Sequence, residues 1–153
     1  MPRLQREAHV SWDGNLARGS GTITAATGAF EALPFTLASR VAKPNGKTSP
    51  EELLASAHAA CYTTSLAGEL TAAGFPPEHL DVTATVTLDE VEDGSHRIVG
   101  SDVVAQARVP GIDDAELRRI AEVADEGCPF SALIKASGRV SVHATLEGGT
   151  DGD

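Results

Sequence analysis

The chain has few basic residues and no long apolar run. It contains 12 Lys and Arg against 22 Asp and Glu among its 153 residues, for a formal net charge of -10. Nucleic-acid binding relies on clustered Lys and Arg that neutralise phosphates, and the basic residues here are scattered, so we exclude nucleic acid as a partner. No run approaches the ~20 apolar residues that cross a bilayer, so we expect no membrane partner either.

The first residues also lack the features of a signal peptide. Segment 1–14 carries Arg3, Arg6 and Glu7 and has no apolar core. We therefore expect a cytoplasmic protein. Structural disulfides are rare in the reducing cytosol, where a protein with two cysteines more often uses its thiols for catalysis or redox sensing.

The sequence also lacks two motifs that indicate a cofactor, a phosphate-binding loop and a set of metal ligands. The stretch Arg18–Gly21 is not a phosphate loop, because it lacks the Gly-Lys-Ser/Thr sequence and no helix follows it. The five histidines and two cysteines are spread along the chain without the spacing of metal ligands. The sequence therefore predicts neither a metal nor another cofactor.

The secondary-structure pattern predicts an α+β fold in a single domain, 1–146. Short alternating stretches broken by glycines indicate an antiparallel β-meander, and turn formers from Arg40 to Thr48 then indicate a loop. A long helix, a β-hairpin, a pair of helices and a final strand are expected to follow. The predicted segments are, in order, 9–35, 40–48, 49–73, 80–109, 113–136 and 140–146. An acidic, Gly-rich disordered tail is expected over 147–153.

The long helix has a strong start signal. Ser49 is a good N-cap, Pro50 suits the first turn, and Glu52, three residues after the cap, completes a capping box. The middle of the helix, Ala55–Cys61, has small residues on every side. This composition predicts a central helix that is packed on several faces, which favours a second chain nearby.

The two cysteines are the strongest indication of chemistry. Cys61 lies in the small-residue part of the helix, where a thiol is buried and inert unless a nearby charge makes it a thiolate. Cys128 precedes Pro129, which can open a helix and so bring the sulfur near unpaired amide groups. On electrostatics alone Cys128 is the better nucleophile, but a low pKa equally makes it a good leaving thiol, so the order of the two stays open.

His58 has two interpretations. It lies three residues before Cys61 on the same helical face, so the two could form the Cys-His pair of a hydrolase or acyl transferase. The alternative, which we favour, is a histidine of the core.

Glu51 cannot reach Cys61 within one straight helix. The separation of ten positions corresponds to about 15 Å along the helix axis. A role for Glu51 in the chemistry of the thiol therefore needs a bridging cation or another chain. Arg40 and Arg18 are the candidate cations, and for each the alternative is a solvated surface charge.

Five segments together resemble the OsmC branch of the OsmC/Ohr hydroperoxide reductases, and the resemblance extends from about 9 to 146. They are Ser49–Leu54, Ala57–Cys61, Gly74-Phe75, Val109–Asp113 and Gly127–Pro129. The resemblance implies an intertwined homodimer in which two β-sheets enclose paired central helices, and a protein of oxidative and osmotic stress defence.

The resemblance also implies a thiol peroxidase. Cys61 would be the thiolate that attacks an organic hydroperoxide, and less efficiently hydrogen peroxide, while Cys128 would resolve the product as a disulfide. A lipoyl-type dithiol is the implied reductant. Family members hold the thiolate with an arginine paired to a glutamate, and we assign these roles to Arg40, in preference to Arg18, and to Glu51.

An apolar pocket would favour organic hydroperoxides over hydrogen peroxide. The expected lining residues are Phe30, Phe35, Leu37 and Phe130. Two other functions remain open beside the peroxidase. One is a non-catalytic redox sensor or binding module that uses the same disulfide, and the other is hydrolase or acyl-transfer chemistry through Cys61 and His58.

Overall fold

The computed structural model describes residues 3–148, and the chain divides into two compact units. The first is Met1–Leu53 and the second is Leu54–Asp153. The single domain expected over 1–146 stays a prediction. Most of the predicted tail, 147–153, lies outside the described residues.

The first unit contains the expected β-meander. Its strands are β1 (Ala8–Asp13), β2 (Ser20–Ala25) and β3 (Leu33–Phe35), which pair antiparallel in the order β1-β2-β3. Glycine is required at position 21, because a Cβ there would lie 2.5 Å from the ring of Phe35. The meander is confirmed, with three strands.

The predicted loop from Arg40 to Thr48 is wrong at its start, because Arg40 lies in a short helix, α1 (Leu37–Val41). A capping box explains the helix. The Thr36 hydroxyl accepts from the Ser39 N–H at 3.1 Å, and the Ser39 hydroxyl accepts from the Thr36 N–H at 2.9 Å.

The second unit has one sheet and two further helices. Strands β4 (His79–Glu90), β5 (His96–Arg108) and β6 (Arg139–Leu146) lie in the order β4-β5-β6. A turn at 91–95 makes β4 and β5 the predicted hairpin. Strand β6 runs parallel to β5, because the helices between them carry the chain back across the sheet. These helices are α3 (Asp114–Gly127) and α4 (Pro129–Lys135).

The long helix α2 (Pro50–Ala72) carries the core of the second unit, and the boundary between the units falls in its first turn. Its N-cap is Ser49 as predicted, with the hydroxyl accepting from the Glu52 N–H at 3.2 Å. Four side chains at a spacing of four residues are fully buried on one face: His58, Tyr62, Leu66 and Leu70.

The buried cluster that contains Tyr62, Leu66 and Leu70 also includes small residues of β5, such as Ala105 and Ala107, and Leu117 and Ala124 of α3. Burying a side chain such as Leu66 stabilises the fold by about 2 kcal/mol. The dimer stays a prediction. The order of elements confirms the predicted α+β fold. Within residues 3–148 we find no helix that is long and apolar enough to span a membrane.

Candidate active site

The second unit brings the two cysteines together. Cys61 Sγ and Cys128 Sγ lie 3.4 Å apart, and both cysteines are free thiols. A disulfide has a sulfur–sulfur bond of about 2.05 Å, so small movements of the two side chains would suffice to join them. The pair is therefore able to pass between dithiol and disulfide.

Cys128 occupies the corner between α3 and α4. Its N–H donates to the Asp125 carbonyl at 3.2 Å, and its own carbonyl accepts from the Ala132 N–H at 3.1 Å, so the residue ends one helix and begins the next. Proline at position 129 disfavours helical backbone at the preceding residue, and Cys128 has φ -83° and ψ 113°, an extended conformation. The expected helix start after Cys128 is confirmed.

Two side chains of α2 hold α3 by its backbone. The Tyr62 hydroxyl donates to the Ala121 carbonyl at 3.1 Å, and the Ser65 hydroxyl donates to the Ala124 carbonyl at 2.7 Å. Cys61 immediately precedes Tyr62 on α2, and these bonds fix the helix that leads directly into Cys128.

The surroundings of Cys61 act on its pKa in opposite directions. Burial raises the pKa of the Cys61 thiol, a hydrogen bond from the Phe130 backbone lowers it, and the Cys128 thiol raises it, with a net shift above the ordinary value. The first turn of α4 therefore directs an amide at Cys61. Sequence reasoning had assigned the effect of this helix start to Cys128.

The two thiols differ in their access to solvent. Cys61 is half-buried, whereas Cys128 is only 1% exposed. A dissolved reagent can therefore reach Cys61 more easily than Cys128.

His58 is a buried core histidine with both ring nitrogens engaged. Nδ1 lies 2.7 Å from the Ser101 hydroxyl, and Nε2 lies 2.8 Å from the Ser131 hydroxyl. Burial lowers the pKa of His58, while the charge of Asp125 raises it and that of Lys135 lowers it. The two serine contacts leave no ring nitrogen directed at Cys61, so the core interpretation is the one that the structure supports.

Arg40 and Glu51 form an ion pair within the first unit. Arg40 Nε and Nη2 both donate to Glu51 Oε1, at 2.9 and 2.6 Å. The hydrogen bonds that Arg40 donates to Glu51 raise the pKa of Arg40. Burial raises the pKa of Glu51, but the hydrogen bond from Arg40 and further donors outweigh it, so the pKa of this carboxyl lies below its usual range.

The return of the chain after α1 brings these two side chains together. The Ser39 hydroxyl donates to the Thr48 carbonyl at 2.7 Å, and the Thr48 N–H donates to the Pro34 carbonyl at 2.9 Å. Position 48 is thereby fixed beside α1, and the first turn of α2 begins next to Arg40. The short helix α1, which sequence reasoning missed, is the element that positions the Arg40 side chain against Glu51.

Arg18, the other candidate cation, lies in an exposed turn, where its backbone N–H donates to the Asn15 side chain at 3.0 Å. The ion pair with Glu51 favours Arg40, but the roles of both arginines in catalysis stay predictions. No group of three or more His, Cys, Asp or Glu side chains among residues 3–148 is arranged to hold a metal ion.

The expected pocket residues fall in both units. Phe35 and Leu37 belong to the first unit, and Phe130 is partly buried against the core of the second. Sequence reasoning missed Trp12, whose ring packs on that of Phe35 with centroids 5.4 Å apart. Their alignment opposite Gly21 on neighbouring strands is the signal that could have found it. A role of these residues in binding substrate stays a prediction.

An α+β fold with a half-buried thiol against a buried one defines a protein capable of dithiol–disulfide chemistry. The chain belongs to the OsmC family: the family model described as OsmC-like protein matches residues 43–143. Peroxiredoxin OsmC of Escherichia coli K12 is 36% identical over 133 residues, which are 87% of this chain and 92% of the relative. The resemblance noted from the motifs is confirmed.

Solved structures share the fold. The organic hydroperoxide resistance protein OhrB of Bacillus subtilis matches with a TM-score of 0.68 and 26% identity, over 92% of this chain and 98% of that one. An OsmC-like protein of unknown function from Vibrio cholerae matches with a TM-score of 0.76, over 94% of this chain and all of the other. The Vibrio protein is 14% identical, so its likeness concerns the fold alone.

Proposed function

We propose that the protein is a thiol-dependent peroxidase that reduces organic hydroperoxides to alcohols. The Cys61 thiolate attacks the distal peroxide oxygen, the O–O bond breaks, and the alkoxide leaves and takes up a proton as the alcohol. Cys61 is then a sulfenic acid. The Cys128 sulfur attacks it, water leaves, and a disulfide forms. A lipoyl-type dithiol reduces this disulfide and becomes oxidised itself.

The thiol pair is the observation that carries the proposal. The sulfurs lie 3.4 Å apart, and the partner of half-buried Cys61 is almost fully buried. A peroxide from solution would meet Cys61 first, whereas Cys128 can act only on a group already attached to Cys61. Access therefore supports Cys61 as the attacking thiol and Cys128 as the resolving one.

The named relatives support the choice of substrate. One is a peroxiredoxin, and another is an organic hydroperoxide resistance protein. We assign Phe35, Leu37 and Phe130 to an apolar pocket that prefers organic hydroperoxides.

Arg40 is the proposed electrostatic partner of the thiolate. Because burial raises the pKa of Cys61, the attack needs a positive charge that stabilises the ionised sulfur and the developing charge on the peroxide. An arginine supplies this charge without titrating. We assign Glu51 to hold Arg40, through the two hydrogen bonds that it accepts.

Intact-mass analysis after one equivalent of cumene hydroperoxide tests the proposal. The reduced wild type should lose two hydrogens as the disulfide forms, and Cys128→Ser should instead gain oxygen at Cys61. Repeated turnover with dihydrolipoamide as reductant should follow. A protein that is oxidised once but is not recycled by any dithiol would be a redox sensor, and one whose Cys61 is not oxidised would not be a peroxidase.

A further inference from the structure

His58 is a fully buried titratable residue that the proposed reaction does not use. We infer that His58 is a positioning residue, which holds α4 through Ser131 so that Cys128 stays within bonding reach of Cys61. The inference rests on the proposed function for its role in turnover, but the contact itself can be tested without peroxide.

The spacing of the contacts makes His58 suited to this role. Cys61 follows His58 by three residues on α2, and Ser131 lies in the first turn of α4, three residues after Cys128 at the N-cap of that helix. Residues three apart lie on one face of a helix, separated by about 4.5 Å along its axis. The His58–Ser131 hydrogen bond of 2.8 Å and the sulfur–sulfur contact of 3.4 Å are thus two neighbouring contacts between α2 and the start of α4, its N-cap included.

A second hydrogen bond keeps the imidazole ring in place. Ser101 on β5 lies 2.7 Å from Nδ1, on the opposite side of the ring from Ser131. All three side chains have 0% exposure. Fully satisfied polar networks in a core are rigid, because each group would lose a partner on moving. The ring therefore connects α4 to both α2 and the sheet.

The other bonds across α2 hold a different helix. Tyr62 and Ser65 are bonded to carbonyls of α3, which precedes the corner at Cys128. The His58–Ser131 bond acts after the corner, on α4. Cys128 is thus held from both sides, and removal of the Ser131 hydroxyl would loosen only one of them.

The position of Cys128 matters in the resolving step. The sulfurs must approach from 3.4 Å to about 2.05 Å as the Cys128 sulfur attacks Cys61 and expels the group that Cys61 carries. A misplacement of 1 Å can slow a reaction between bound groups about 100-fold. A single lost hydrogen bond displaces α4 less completely, so we expect a slowing of about tenfold.

The test uses an aromatic disulfide that releases a coloured nitrothiobenzoate anion. Reaction with Cys61 releases the first anion and leaves a mixed disulfide. The Cys128 thiolate then attacks the Cys61 sulfur, the protein disulfide forms, and a second anion leaves. The first-order rate of this second release measures the resolving step without peroxide.

Ser131→Ala and Ser101→Ala form a matched pair, because each removes one buried hydroxyl from the same imidazole. Only Ser131→Ala cuts the link to α4. We expect it to slow the second release about tenfold, with the first release within about twofold of wild type. Ser101→Ala should slow the second release by no more than about threefold, although both variants lose thermal stability to a similar extent.

Two results would overturn the positioning role. One is a second release in Ser131→Ala that is within about 1.5-fold of that in Ser101→Ala. The other is the absence of a second release in wild type. A normal second release in wild type, combined with no oxidation of Cys61 by cumene hydroperoxide, would instead reject the peroxidase and leave the positioning role intact.

Discussion

The thiol pair and the Arg40–Glu51 ion pair lie in different units and are held by different means. The thiols lie against a core of fully buried side chains, with α2 bonded to α3 and α4. In the ion pair the side chain of Arg40 is 42% exposed and that of Glu51 is 14% exposed. Glu51 Oε2 is buried and has no hydrogen-bond partner among the described residues.

The difference separates two kinds of mutational effect. Changes around the thiols alter packing and buried hydrogen bonds, so they should reduce stability together with activity. Changes to the ion pair remove an arginine that is partly exposed to solvent, where ion pairs contribute little to stability. A loss of activity there would report on chemistry rather than on folding.

The largest effect is expected at Cys61. Cys61→Ser should lower the rate of cumene hydroperoxide reduction by at least about 1,000-fold, because a hydroxyl does not ionise near neutral pH and cannot replace the thiolate. Steady-state peroxide consumption with dihydrolipoamide measures this rate. The matched control is Cys128→Ser, in which the peroxide should still oxidise Cys61 once. Substantial turnover by Cys61→Ser would move the attack to Cys128.

Arg40→Ala should lower kcat/KM for cumene hydroperoxide by about 100-fold, as expected for loss of a group that stabilises developing charge. Arg18→Ala is the control, and its exposed position predicts activity close to that of wild type. The reverse outcome, an active Arg40→Ala and an inactive Arg18→Ala, would transfer the role of cation to Arg18.

His58→Leu should lower the free energy of unfolding by about 3 kcal/mol, since it removes two hydrogen bonds and leaves two buried serine hydroxyls without their partner. Arg40→Ala should lower it by no more than about 1 kcal/mol, because that side chain is partly exposed and solvent-accessible ion pairs contribute little to stability. Urea denaturation of the reduced proteins measures both. Equal losses of unfolding free energy in the two variants would show that the thiol region and the ion pair do not differ in their contribution to stability.

The smallest effect concerns pH. His58 binds a proton more weakly in the folded chain than in the unfolded chain, where its pKa is near 6.5. Below that pH the unfolded state takes up more protons, so the folded state loses stability as pH falls, by up to about 1.4 kcal/mol per pH unit.

Comparison of His58→Leu with wild type isolates this contribution. Urea denaturation at about pH 7.5 and about pH 5.5 should show a smaller loss of stability in the variant, which has no imidazole to protonate at this position. Ser101→Ala keeps the histidine and should retain part of the pH dependence. Equal losses in wild type and His58→Leu would show that other groups dominate in this range.

Much of the fold could be predicted because its elements carry local signals. Alternation along β4 and the Ser49 cap of α2 placed their elements within a few residues of their observed bounds. Helix α1 was missed because its five residues are too few to show a helical period. Its capping pair, Thr36 and Ser39, was the available signal.

The site could be predicted only in part, because its contacts join distant positions. Family motifs indicated Cys61 and Cys128, but the serine partners of His58 are 43 and 73 residues away in the chain. A buried histidine accepts many partners, so nothing local to it specifies Ser101 or Ser131. The amide of Phe130 was missed for a related reason, since its direction depends on how α4 packs against α2.

The position of Cys128 beside Cys61 has a consequence for the stability of the oxidised protein. A bond to Cys61 would close a covalent ring between positions 67 residues apart. A ring of that size restricts the unfolded chain enough to favour the native state by about 4 kcal/mol. The oxidised protein would then have a higher thermal stability than the reduced one. Molecules that have not yet been reduced would therefore stay folded under conditions that unfold the reduced form.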